Sequence, residues 1–395
     1  MSSSDSSYPA NKPSLSELAA FFLRLGTTAF GGPAAHIAIM EDELVRRRGW
    51  ISRENFLDML GASNLIPGPS SSELAIHIGY LLGGWCGLVV AGICFIVPAA
   101  CMVGTLAWGY VHFGKLPAVT GLLYGIKPVV IAVVLQAIWG LGRTAIKTSF
   151  IAVVGLISIG LAAWGLHPLL LLLVAGVAVI LADKTIRSGV RIEFAPLFML
   201  RSAVRWPKSL AAGISAALAA VAPLSLGSLL LVFLKFGAVI FGSGYVLLAF
   251  LRADLVVHRG WLTDAQLLDA IAVGQVTPGP VFTTATFIGF LLRGIPGAIV
   301  ATVGIFLPAF LLVAASGPLL PRIRKSQIAG SFLDGVIVAS LALMAVVSWQ
   351  LGRASIVDLL TATLFAGSLF LLLRFRLNSA WLILIGALAG ALLRV

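Results

Sequence analysis

Charge is scarce in this sequence. Asp, Glu, Lys and Arg make up 11% of the residues, while 59% are hydrophobic and the mean hydropathy is +1.06. A soluble domain carries about 25% charged residues, so the shortage excludes a soluble globular chain and implies a polytopic helical membrane protein. Cysteine is nearly absent. Cys86, Cys94 and Cys101 fall in or beside one apolar run at spacings of eight and seven, which excludes a disulfide framework and a metal-ligand pattern. No metal and no cofactor are expected. Acidic residues number 15 against 27 basic ones, giving a net charge of +12. The basic residues sit in short connections between apolar runs, where they anchor loops in the cytoplasm; nucleic-acid binding has no support. Residues 1–13 lack the basic and apolar regions of a signal peptide and read as a disordered polar tail.

What is present is an interruption that occurs twice. Asn64-Leu-Ile-Pro-Gly-Pro-Ser-Ser-Ser-Glu-Leu-Ala-Ile-His77 is echoed by Gln275-Val-Thr-Pro-Gly-Pro-Val-Phe-Thr-Thr284. Pro-Gly-Pro cannot continue a helix, because two residues lack an N–H and glycine adds backbone freedom. Bare backbone at membrane depth is tolerated only where it is buried in protein or lines a wet cavity. Residues 55–65 and 70–82 are each too short to cross ~30 Å of hydrocarbon at ~1.5 Å per residue. They are therefore expected to form a re-entrant hairpin meeting at Pro-Gly-Pro. Spans are expected near 88–110, 119–141, 150–164 and 168–182, then 328–349, 356–373 and 381–393.

The two halves are copies. Phe22–Pro69 and Phe233–Pro280 share 16 identities in 48 ungapped positions. These include Phe30-Gly31 with Phe241-Gly242, Arg48-Gly-Trp50 with Arg259-Gly-Trp261, and Leu57-Asp58 with Leu268-Asp269. One residue is lost after the second motif, and then Gly79, Gly84, Gly87 and Pro98 match Gly289, Gly294, Gly297 and Pro308. The expected organisation is a first repeat at 14–182, a basic linker at 183–223 and a second repeat at 224–395. The fold class is all-α, with about five transmembrane helices and one re-entrant hairpin per repeat. That odd number favours inverted repeats, a recurring transporter plan. Whether 211–223 crosses the membrane stays open.

Candidate site residues follow from the breaks. A helix start bares N–H groups and the positive end of the helix dipole, which suits an anion. Ser70, Ser71 and Ser72 either cap the helix or bind an oxyanion alongside the backbone of Gly68; Thr283, Thr284 and Gly279 supply the matching half. Asn64 and Gln275 either satisfy carbonyls freed by the break or donate to the ion. Gly31, Gly32 and Gly242 mark a kink or a close backbone approach. Glu73 and His77, at i and i+4, either bond to each other or relay protons, with His36 as a further member. Lys127 either snorkels to an interface or supplies a fixed positive charge. Arg24 and Lys235 hold equivalent repeat positions and are candidate anion ligands or guides. Trp50 and Trp261 read as interfacial anchors.

Phe30-Gly-Gly-Pro33, Arg48-Gly-Trp50, Asn64-x-x-Pro-Gly-Pro69 with Ser70 and Glu73, and Ala75-Ile-His-Ile-Gly-Tyr80 together resemble the chromate ion transporter family in its long, two-repeat form. The resemblance covers about Leu15 to the C-terminus. It implies a multi-pass protein of the cytoplasmic membrane that exports chromate, with sulfate as a related oxyanion. The lipid bilayer is the expected partner, and a homodimer is compatible with the sequence. The second half departs from the first: Gln275 replaces Asn64, and Glu73 and His77 face only Thr284 and an apolar residue. Two other readings stay open: an intramembrane lipid-phosphate phosphatase and an oxyanion importer.

Overall fold

The computed structural model describes residues 13–63, 66–114, 116–187, 224–241, 244, 246–316, 326–375, 377 and 379–393. The tail before Pro13, the linker from residue 188 to 223, Asn64 and Gly242 lie outside the described residues.

Among the described residues the chain is helical, without strands, and each half repeats one order of seven helices. The first half runs α1 (Leu15–Thr28), α2 (Gly32–Met40), α3 (Arg53–Ser63), α4 (Ser70–Phe113), α5 (Pro117–Ala145), α6 (Ser149–Ala163) and α7 (Pro168–Arg187). The second runs α8 (Leu226–Val239), α9 (Val246–Leu251), α10 (Asp264–Val276), α11 (Thr284–Ser316), α12 (Gln327–Ser355), α13 (Leu359–Phe375) and α14 (Ser379–Leu393). A π-helical turn extends α2 over Glu41–Arg47, and another extends α9 over Arg252–His258.

Local chemistry sets these boundaries. Ser14 caps α1 in a reciprocal capping box with Glu17, and Leu18, Phe21, Phe22 and Leu25 then fall on one buried face. Thr263 and Gln266 form the same box at α10. At Pro69, before α4, no side chain caps the helix.

Among the described residues four segments are long and apolar enough to cross a membrane: Ser70–Phe113, Val119–Ala145, Val281–Ala315 and Ile328–Ser355. On α4 the exposed stripe is Val89, Ile93, Val97 and Cys101; on α11 it is Ile295, Ile299, Val303, Leu307 and Leu311. Both stripes keep a spacing of four, which places each on one side of its helix.

The sequence passes over a tight reversal. Gly83 and Gly84 leave helical geometry inside α4, as Arg293 and Gly294 do inside α11, with Gly84 and Gly294 at φ +59° and +61°. A Cβ added to Gly79 would strike the Gly87 carbonyl and Ala91, and one added to Gly289 would strike Gly297 and Ala301. In a straight helix, eight residues span ~12 Å, so these contacts require the chain to double back. Each break at Pro-Gly-Pro is thus followed by a short limb that turns at a glycine and returns as a longer one. Small residues at the crossing let the two backbones touch.

The halves pack by exchange. α1 packs on α4 as α8 packs on α11, whereas α5 packs on α13 and α14, and α12 packs on α6 and α7. Gly121 faces Gly390 and Gly125 faces Gly386, so α5 and α14 run antiparallel. Gly352 of α12 lies against Ile131 of α5, although the repeat equivalent of Gly352 is residue 142. Eleven positions amount to ~16 Å of helix, an offset in keeping with the antiparallel run of α5 and α14.

Candidate substrate site at the paired helix breaks

Two interruptions in each half meet their counterparts in the other. Gly68 N–H donates to the Ile240 carbonyl at 2.7 Å, and Gly279 N–H donates to the Ala29 carbonyl at 3.0 Å. Ala29 and Ile240 are the residues that end α1 and α8. The carbonyls freed at each helix end are therefore satisfied by the Pro-Gly-Pro turn of the opposite repeat. Gly68 has φ +141° and lies beside Ala309, and Gly279 has φ +91° and lies beside Ala99, its repeat equivalent. Gly31 and Gly32, at φ +107° and +73°, make the other break by letting the chain turn into α2.

The first-half lining is polar. His36 is fully buried, with Nδ1 3.3 Å from Ser71 Oγ and Nε2 3.2 Å from the Ala29 carbonyl. A carbonyl only accepts, so in the neutral ring Nε2 carries the proton and Nδ1 accepts from the Ser71 hydroxyl. His36 thereby ties the end of α1 to the start of α4. Ser70 is buried with them. Ser72 and Glu73 are completely buried, and among the described residues neither the Ser72 hydroxyl nor either Glu73 carboxyl oxygen has a hydrogen-bond partner. The mutual Glu73–His77 hydrogen bond considered from sequence is therefore absent, although His77 is buried one turn further on.

The second-half lining is less polar. Gln275 and Thr284 line a crevice with Gly244, Leu247, Leu251, Ile271, Val281 and, from the first half, Val134 of α5. Leu247 is the repeat equivalent of His36, so the crevice lies where the first half holds its histidine. Thr283 and Thr284 are buried, and their hydroxyls donate to the Pro280 and Val281 carbonyls at 2.7 and 2.8 Å. α4 packs against the 3₁₀ turn Val281–Thr283, and its returning limb reaches the second break, where Ala99 lies against Gly279.

The basic candidates are each paired with an acid. Arg24 meets Glu43 at 3.4 Å, and Glu43 is also held by Arg48 at 2.9 Å. Lys235 pairs with Asp254, which Arg259 holds at 3.0 Å. Arg48 stacks on Trp50 at 4.7 Å and Arg259 on Trp261 at 4.9 Å, so both tryptophans are occupied within the protein rather than serving only as interfacial anchors. Lys127 does not snorkel: its Nζ lies 3.0 Å from Asp269, whose other oxygen accepts from the Tyr110 hydroxyl at 2.9 Å. Asp269 and Tyr110 were not singled out as site residues in the sequence. The recurrence of Asp58 as Asp269 was the available signal, but nothing in it named Lys127 as the partner.

A family model described as "Chromate transporter" matches residues 16–180 and again 227–391. The chain belongs to the chromate transporter family. It is 33% identical over 389 residues to a chromate transport protein of Cupriavidus metallidurans, covering 94% of this chain and 91% of that relative. It is 31% identical over 405 residues to a probable chromate transport protein of Synechococcus elongatus, covering 96% and 95%. A Bacillus subtilis relative, the uncharacterized transporter YwrA, is 31% identical over 160 residues, covering 40% of this chain but 89% of its own length. No solved structure matches the chain significantly.

Proposed function

We propose that this protein carries chromate out of the cell across the cytoplasmic membrane, with the ion held where the Pro-Gly-Pro breaks of the two repeats come together. The observation that carries the reading is the reciprocal pair of backbone bonds, Gly68 to Ile240 and Gly279 to Ala29. It joins the broken helices of opposite repeats, the plan that places substrate sites of secondary transporters near the membrane midplane. Ser70 and Ser72 supply hydroxyls at the start of α4, beside Ser71 and Gly68, whose own donors are held by His36 and Ile240; Gln275, Gly279, Thr283 and Thr284 form the opposite, less polar wall. Gly31 and Gly32 belong to the same junction; Asn64 and Gly242 are assigned to it from the sequence alone.

The repeats are inverted in this reading, supported by the antiparallel pairing of α5 with α14. Their bounds are 14–182 and 224–395, joined by the basic linker. Each short limb before a glycine reversal, 70–82 or 284–292, is the re-entrant element. Transport proceeds by rocking one repeat against the other about the shared junction. A cytosol negative inside favours anion exit by ~2.3 kcal/mol per charge per 100 mV, so potential alone can drive efflux. Sulfate, a tetrahedral dianion of similar shape, fits the same donors. Arg24 and Lys235, already ion-paired, act as guides at the approaches; Lys127 acts through Asp269.

Inverted membrane vesicles test the proposal. Vesicles containing the protein take up labelled chromate when their interior is made positive, and Ser70–Ser72→Ala abolishes that uptake. Uptake unchanged by the triple substitution removes the site, and no uptake by the wild type removes the function.

A further inference from the structure

Among the described residues Glu73 has no partner to explain its place. It is fully buried at the first turn of α4, both carboxyl oxygens lack a donor, and the neighbouring Ser72 hydroxyl is equally unpartnered. Its carboxyl lies directly against Gly68, close enough that a Cβ on that glycine would collide with it. Gly68 in turn is fixed by its bond to Ile240 of the other repeat. The carboxyl is therefore aimed at the break itself.

Among the described residues no counter-charge faces it; the acids of α10, Asp264 and Asp269, are paired with Arg252 and Lys127. On its own helix the nearest titratable group is His77, one turn on. α2 offers His36, engaged by Ser71 and Ala29. On α1, Arg24 is 57% exposed and paired with Glu43. On α3, Arg53 and Glu54 are exposed and Asp58 is half-buried with a partner of its own. α11 presents Ala309 towards Gly68, and its Arg293 is exposed at the far reversal. The 3₁₀ turn Val281–Thr283 carries no titratable side chain.

An ionised carboxylate in that position would be a buried charge without a donor, and it would repel an anion arriving at the same helix start. Protonated, it removes that repulsion and adds an O–H donor beside the Ser72 hydroxyl. We propose that Glu73 is the proton site coupled to the oxyanion: its carboxyl is protonated whenever the dianion is held at the start of α4, and proton and anion enter and leave together. The proton comes from the bath to which the site is open and returns to the bath on the opposite side. Each chromate then carries one net negative charge across instead of two. This rests on the site assignment of the proposed function and adds its charge balance.

The test is chromate binding to the purified full-length protein, over the alkaline range in which chromate is wholly a dianion. Wild-type affinity is expected to fall about tenfold per pH unit where Glu73 ionises in the empty protein, with uptake of one proton per chromate in weak buffer. Glu73→Gln is expected to bind with a flat pH profile and no proton uptake, and in proteoliposomes to move two charges per chromate where the wild type moves one. The wild-type measurements stand on their own if Glu73→Gln fails to fold. A flat wild-type profile without proton uptake overturns the proposal. So does a Glu73→Gln variant that keeps the slope, or a slope that His36→Gln or His77→Gln abolishes instead. Failure of the wild type to bind chromate at any pH is a separate result, and it overturns the site and function as well.

Discussion

Gly68 reaches out of its own repeat to donate its amide proton to Ile240, at 2.7 Å, and Gly279 does the same to Ala29 at 3.0 Å. Each Pro-Gly-Pro turn thereby completes the broken first helix of the other half. Such a junction is rigid where the bonds form and exposed to rearrangement where they break, because each bond crosses the boundary between repeats.

The two motif glycines respond differently to a methyl group. At Gly279, alanine meets positive φ, Ala99 Cβ and the Gly26 carbonyl; at Gly68 it meets positive φ and the Glu73 carboxyl, the end of a side chain. Left-handed geometry costs ~1–2 kcal/mol, and overpacking adds ~1–3 kcal/mol where the neighbours cannot yield. Gly279→Ala is expected to lower the thermal unfolding temperature in detergent more than Gly68→Ala. Gly68→Ala is expected to impair transport with a smaller loss of stability, because it displaces Glu73.

The glycine crossings are fold determinants. Gly79 and Gly289 leave no room for a Cβ against Gly87 and Gly297. Gly79→Val or Gly289→Val is expected to force the limbs apart and destabilise by ~1–3 kcal/mol or more, read as a lowered unfolding temperature. The same substitution at Gly160, which has open space around it, is expected to change stability much less.

Lys127 and Asp269 bind the two halves through a pair in which Asp269 is 5% exposed and Lys127 22%. Removing one partner of a buried pair costs ~3–5 kcal/mol, because the other charge is stranded. Lys127→Met and Asp269→Asn are each expected to destabilise strongly, and the double variant less than their sum. Thermal unfolding of the four proteins in a double-mutant cycle measures the difference. Tyr110→Phe, losing one hydrogen bond, is expected to cost ~1–3 kcal/mol.

Stability at low pH is tied to Glu43 and Asp254. The Arg48 hydrogen bond holds the Glu43 carboxyl below its ordinary 4.5; burial opposes this, and Arg24 and Arg47 assist it. At Asp254 burial is the largest influence and pushes up, but Lys235 and Arg259 together bring the carboxyl below its ordinary 3.8. Groups depressed in the folded state contribute stability above their ordinary values and lose it as pH falls through the folded ones. The unfolding temperature is therefore expected to decline below about pH 4.5 and more steeply below about pH 3.8. Glu43→Gln and Asp254→Asn are expected to flatten that decline.

The sequence makes much of this fold legible because the duplication is written in residues that cannot be exchanged freely. Gly31, Gly68 and Gly279 need positive φ, and the Arg-Gly-Trp motifs need both the stack and the ion pair. Apolar runs place α5–α7 and α12–α14 to within a few residues. The reversals at Gly83–Gly84 and Arg293–Gly294 are hidden because the composition on either side is uniformly apolar, so no change of polarity marks the turn. Partner identities across the halves are also hidden. Lys127 with Asp269, and Gly68 with Ile240, depend on how the repeats dock, which one-dimensional spacing does not encode. The sequence singles out Glu73, but only the fold reveals that it stands apart from His77.

Chromium itself reports where the ion sits. In crystals grown with chromate, anomalous scattering at the chromium edge is predicted to give one site per chain, between the Ser70–Ser72 start of α4 and the Gly279–Thr284 turn, and to lose it in Ser70–Ser72→Ala. Chromium found instead beside Arg24 or Lys235, with the paired breaks empty, would contradict the account.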